Sequence, residues 1–225
     1  MSSDAIPVRD KDAVPFRCRR CGACCRDIED ELMLEPLDAY RLAAYFSRQS
    51  GGTYMGSVER VYSWFTHSAV LEGIFPIFLL NTRGSDAACT FLENGRCSVY
   101  EARPRVCRVY PFQAVPETRG GGFAYYQCMD SHRGHFSMGH VTVQAWMDQN
   151  FLEEDRMFLR EMEEVLPRLG GLLRRLSKAE RRRRSYQVLS YYYFRYSLER
   201  PFLPQYQENM RRLCEELQMA GLGGE

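Results

Sequence analysis

The stretch "FRCRRCGACCRDIED" (16–30) places Cys18, Cys21, Cys24 and Cys25 within eight positions. A loop with thiols three residues apart can wrap so that successive sulfurs converge on one centre. The same spacing opens the ligand run of bacterial ferredoxins, and a CxxC followed by glycine, as in "CRRCG", also builds zinc knuckles. Spacing therefore points to a metal without choosing between iron–sulfur and zinc. Both centres usually take four ligands, so at least one must come from elsewhere in the chain. Cys89, Cys97, Cys107 and Cys128 are the supply. Neighbouring residues of an extended chain point to opposite sides, so Cys24 and Cys25 are expected to serve different centres. Eight thiolates then divide into two sets of four. A rival division keeps one four-thiolate centre and leaves the other cysteines structural, reactive or bound to a second metal beside His132 and His135. A lone histidine, however, is more often a surface residue.

Thiolate ligation requires deprotonated sulfur, and guanidinium groups nearby both favour that form and offset the charge of a four-thiolate centre. Arg17, Arg19, Arg20 and Arg26 surround the first cluster, and Arg103, Arg105 and Arg108 flank Cys107. Pro104 and Pro111 hold Cys107 on a stiff segment. Tyr100, Tyr110 and Phe112 would shield a centre from water, or serve as ordinary core aromatics.

The elements that must position these residues follow from pattern. "EPLDAYRLAAYFSRQSGG" reads as a helix stopped by Gly51-Gly52, and "SVERVYSWFTHSAVLEG" as a second. "FPIFLLNT" (75–82) reads as a buried strand, Asn94-Gly95 as a hairpin turn, and "GGGFAYYQC" (120–128) as a turn feeding a strand. From 139 onward the periodicity becomes helical. The predicted fold is α+β, with a flexible lead-in (1–15), a small cysteine-rich metal-centred domain of short strands and helices (16–138) and a helical C-terminal region (139–225). The basic run "RRLSKAERRRRSYQ" reads as a solvated helix surface and the aromatics after it as a packed face. Cys214 reads as a buried small hydrophobe.

The 225 residues suffice for a core without covalent staples, and 45% hydrophobic with 26% charged residues is ordinary for a globular chain. The net charge of +1 removes the compositional argument for nucleic acid. No apolar run approaches the ~20 residues of a membrane helix. The start "MSSDAIPVRDKDAVPF" lacks an export signal, so the expected location is the cytoplasm, where nine thiols suggest metal rather than disulfides. No nucleotide-binding glycine loop or hydrolase motif occurs.

Together "CRRCGACC", "CTFLENGRCSVYEARPRVCRVYPF" and the later Cys128 resemble the CxxCxxCC cysteine-cluster family of zinc- or iron-chelating proteins over roughly residues 16–130. The resemblance implies that Cys18, Cys21, Cys24, Cys25, Cys89, Cys97, Cys107 and Cys128 are the metal-binding set. It also extends distantly to flagellin lysine N-methylase, which favours an iron–sulfur cluster of 4Fe–4S type over zinc. Two functions follow: a metal-binding protein with one or two cysteine-ligated centres, or a cluster-dependent protein-modifying enzyme. No catalytic residue is assigned. A protein partner could be met by the helical C-terminal region.

Overall fold

The structure, a computed structural model, describes residues 5–49, 57–117, 121–128 and 139–219. It is α+β, with short strand pairs in the first half and helices filling the second. The elements run β1 (Ala5–Val8), β2 (Ala13–Val14), α1 (Pro36–Gln49), α2 (Val58–Phe65), β3 (Thr66–Leu71), β4 (Phe75–Leu80), β5 (Thr82–Arg83), β6 (Ala88–Cys89), β7 (Leu92–Glu93), β8 (Arg96–Cys97), α3 (Arg105–Val109), β9 (Phe112–Pro116) and β10 (Phe123–Cys128). They continue with β11 (Val141–Thr142), α4 (Val143–Asn150), α5 (Glu153–Arg175), α6 (Lys178–Val188) and α7 (Phe202–Glu216). A π-helical turn, Leu189–Phe194, joins the path from α6 to α7.

Helix α1 forms where expected, with Pro36 in its first turn, where a missing N–H costs nothing. Its proposed stop at Gly51-Gly52 lies outside the described residues. The second expected helix ends early. Ser57 accepts the Arg60 amide to start α2, but residues 66–71 leave the helix and pair with β4 in register Thr66↔Leu80 to Leu71↔Phe75. The physical reason is the turn: Glu72 and Gly73 take positive φ (51° and 68°), which reverses the chain and gives the apolar β4 a partner. The Asn94-Gly95 hairpin forms as read, with φ of 49° and 74° at the two turn residues and Leu92 opposite Cys97.

The expected lead-in is not free chain over its described part. Strand β1 adds to β10 in the three-stranded sheet β1-β10-β9, and β2 pairs with β11, so the N-terminal segment ties into the strand just before α4. Alternation explains it: Ile6, Val8 and Val14 sit in short β-compatible runs that gain a ladder by pairing.

The main core does not respect a boundary at residue 138. Leu34, Leu37 and Leu42 of α1 and its approach, Val61 and Tyr62 of α2, and Leu80 of β4 share one buried cluster with Phe158, Leu169, Tyr192, Tyr193 and Tyr206 from the helical region. Aromatic edges interlock there, as in Tyr62–Tyr193 with centroids 5.4 Å apart. A smaller cluster packs Phe16, Val109 and Phe112 against Val143, Met147, Phe151 and Leu159. The cysteine-rich half is thus covered on two sides by the C-terminal helices. Cys214 is buried on α7, and α6 carries its arginine run largely toward solvent, both as read.

Candidate metal centre

Between the two cores lies a cavity of about 170 Å³ whose wall contains Cys18, Cys21, Cys24, Cys25, Cys89, Cys97 and Cys107. Four separate segments supply these thiols, and each has a local reason for its place. The first loop turns at Gly22 (φ 69°) into a 3₁₀ turn, Ala23–Cys25, in which the Cys25 amide donates to the Gly22 carbonyl at 3.1 Å. Beyond it the Asp27 and Ile28 amides donate to the carbonyls of Asp86 and Ala87, and Arg26 pairs with Asp86, which fastens the loop to the β5–β6 connection. Strand β6 carries Cys89, the β7–β8 hairpin carries Cys97, and α3 carries Cys107, whose amide donates to the Pro104 carbonyl.

The 3₁₀ turn changes the meaning of the cysteine doublet. In an extended chain Cys24 and Cys25 would diverge; wound into the turn, both line the same cavity and their side chains are hydrogen-bonded to each other. Adjacency alone therefore no longer argues for a second centre. Cys128, at the end of β10, stands off the cavity wall. Its amide donates to the Pro111 carbonyl at 2.8 Å and its sulfur accepts from Gln113 Nε2 at 3.4 Å. His132 and His135 lie outside the described residues.

Burial governs the electrostatics. It pushes the Cys89 thiol up to about 11, against the Phe91 amide, which donates to Cys89 Sγ at 3.4 Å. Burial also raises Cys97, opposed by a backbone hydrogen bond at Val99 and the charge of Arg103. Cys107 goes well above its ordinary value through burial first, then through Cys89 and Cys24. The hydrogen bond with Cys24 is the first cause of the rise at Cys25, ahead of burial. Every pair among Cys24, Cys89, Cys97 and Cys107 is close enough for one thiolate to disfavour the other. Ionising such a set requires a cation in its midst, and an all-sulfur donor group suits a thiophilic metal. The donor chemistry therefore fits a metal centre, and amides aimed at Cys89 and Cys97 are the outer-shell contacts such a centre uses.

The arginines divide into two groups. Arg105 is buried in a forked pair with Glu35 (2.6 and 3.1 Å), and Arg108 meets Asp155 at 2.5 Å, so these two serve the fold rather than the thiolates. Arg19, Arg20 and Arg103 do line the cavity, the last two stacked on the Tyr100 ring at 4.2 and 3.6 Å from its centroid. Tyr100 and Tyr110 reach the wall, whereas Phe112 belongs to the smaller core. Sequence reasoning missed Phe16 and Trp146, which pack edge to face at 5.2 Å and close one side of the cavity. Trp146 comes from α4, far along the chain, and only tertiary packing brings it there.

Asp38 is a further buried group beside the site. Its Oδ1 accepts the Arg105 amide at 2.7 Å, holding the start of α3, while burial and then the Glu35 charge push its carboxyl up to about 7.

Gly22 offers a test of the loop geometry. A Cβ at this position would lie 2.6 Å from Leu92 Cδ1 and 2.8 Å from the Gly95 carbonyl oxygen, in a backbone region that L-residues disfavour. Gly22→Ala is expected to cost about 2 kcal/mol or more and to weaken metal retention, because the loop must lift off the hairpin that carries Cys97. Thermal unfolding together with metal content per chain checks both effects.

Residues 17–129 match the family model CxxCxxCC, "Putative zinc- or iron-chelating domain". No curated protein and no solved structure matches the chain.

Proposed function

The chain belongs to the CxxCxxCC family of zinc- or iron-chelating domains, and from that premise we propose that its cavity holds a cysteine-ligated iron–sulfur centre of 4Fe–4S type. One observation carries the reading: seven thiols from four segments line a single cavity. Cys24, Cys89, Cys97 and Cys107 are the proposed inner ligands, a complete set of mutually interacting sulfurs, and Cys25 interacts with Cys24, Cys89 and Cys107 as well. Cys18, Cys21 and Cys25 remain on the same wall as reserve ligands or as part of a second set with Cys128.

Among the described residues, the wall offers thiols and no histidine or carboxylate, a donor set that suits an iron–sulfur cluster, whose irons are held by cysteine thiolates. When bound, such a centre supplies one-electron chemistry, with a potential set by hydrogen bonds to sulfur and by solvent exposure. The chain's own contribution is to space the thiolates, direct the Phe91 amide at Cys89, and exclude water with Phe16, Tyr110 and Trp146.

Protein purified without oxygen should be brown and contain iron with acid-labile sulfide. A colourless preparation holding stoichiometric zinc and no sulfide would overturn the cluster while leaving the thiol cavity as its site.

A further inference from the structure

We propose that the arginine-rimmed mouth of the cavity docks the acidic surface of a protein partner, a reading that rests on the metal-centre assignment above. Arg19 and Arg20 come from the cysteine loop, Arg96 from β8 and Arg103 from the approach to α3, and all four line the cavity. Among the described residues, no Asp, Glu, Lys or His shares that wall with them. Glu93 stands opposite Arg96 in the hairpin register but off the cavity wall.

Single arginines held without a carboxylate occur elsewhere, as at Arg83, Arg160 and Arg181, but the mouth gathers several from separate segments around one opening. Arg26, Arg41, Arg105, Arg108, Arg174 and Arg200 each sit against an Asp or Glu. Arg20, Arg96 and Arg103 have no carboxylate partner among the described residues. Tyr100 holds two of them by their flat faces, and Arg103 also donates its Nε–H to the Tyr100 carbonyl at 2.8 Å. Stacking of this kind fixes a guanidinium while leaving its remaining N–H edge for an anion.

A loaded centre would account for part of this positive charge, since four thiolates around an iron–sulfur core carry net negative charge. Position argues for an additional role. Arg20 and Arg96 are exposed, as are Cys18 and Cys21, whereas the mutually interacting inner thiols lie deeper. Guanidinium groups on an outer rim, drawn from three segments, match carboxylates spread over a partner's surface, and complementary charge both speeds encounter and sets orientation. No covalent step is involved.

The test uses the full chain, metal-loaded, with short fluorescein-labelled poly-L-glutamate followed by anisotropy at low salt. Arg20→Gln/Arg96→Gln/Arg103→Gln should weaken binding about tenfold or more, while Arg182→Gln/Arg183→Gln on the exposed face of α6 should change it less than about twofold. Arg20→Gln/Arg96→Gln, which spares the half-buried Arg103, guards against misfolding and should give an intermediate loss. Equal loss in the α6 variant, or no loss in the mouth variants, overturns the proposal. One-to-one binding of citrate that displaces the probe makes the mouth a small-anion site and also overturns it. Loss of metal in both mouth variants would reassign the arginines to charge compensation. A wild-type protein that holds no metal refutes the centre itself, and the anisotropy comparison still reports on the mouth.

Discussion

Replacing Cys107 by serine should strip the protein of its metal, lowering affinity by about 100-fold or more. Cys107 sits at the meeting point of the site: its ionisation is opposed by burial and by Cys89, Cys24 and Cys97 in turn, so all three lie within its reach. Serine offers a harder, less ionisable donor and leaves the remaining thiolates without a complete ligand set. Because metal binding and folding of such a site are linked, the variant should also unfold several kcal/mol more easily than the loaded wild type. Cys214→Ser is the matched control. That thiol is also buried, on α7 between Leu213 and Leu217, but in an apolar setting, so the change should cost only about 1–2 kcal/mol for burying a hydroxyl and leave metal content alone. Metal analysis and denaturant titration of both variants separate ligand loss from ordinary core damage. Full metal content in the Cys107 variant would remove it from the ligand set.

The division between Cys107 and Cys214 was legible from sequence because it depends on local context: one lies among prolines, arginines and other cysteines, the other in a helical repeat of leucines. The convergence of distant thiols was partly legible for the same reason, since four ligands demanded a downstream source and Asn94-Gly95 announced the hairpin that delivers Cys97. What sequence could not reveal was the path of the backbone through the doublet. A rule for extended chain sends Cys24 and Cys25 apart, and a three-residue 3₁₀ turn begun by Gly22 brings them to one wall. Strand β3 was hidden because its residues continue a helix-compatible pattern until Glu72 and Gly73 reverse the chain. Phe16, Trp146 and the acidic partners of Arg105 and Arg108 were invisible for a different reason. Each owes its role to a neighbour tens of residues away, and nothing in its local sequence marks it.

The most consequential of those long-range partners is Asp155, and Asp155→Ala should destabilise the chain by about 3–5 kcal/mol. Its carboxylate is fully buried at the start of α5. There it accepts Arg41 Nη1 from α1 and Arg108 Nη2 from α3, both at 2.5 Å, and caps the Leu152 amide at 2.9 Å. Removing it leaves the largely buried Arg108 without a carboxylate, Arg41 with Glu154 alone, and the helix uncapped, which is the costly way to break a buried pair. Asp155→Asn keeps an acceptor for the cap but removes the charge, so it should recover about 1 kcal/mol of that loss and no more. Glu154, which also meets Arg41 at 2.7 Å but is over a third exposed, provides the contrast. Glu154→Ala should cost less than about 1 kcal/mol, as solvent-screened pairs do. Arg108 is the next residue after Cys107, so Asp155 also anchors the helix that carries a proposed inner ligand. Metal retention in Asp155→Ala should fall along with stability, whereas Glu154→Ala should retain its metal. A variant that unfolds early yet keeps full metal at low temperature would show that α3 is held by Glu35 and Asp38 alone, through the fork to Arg105 and the cap on its amide.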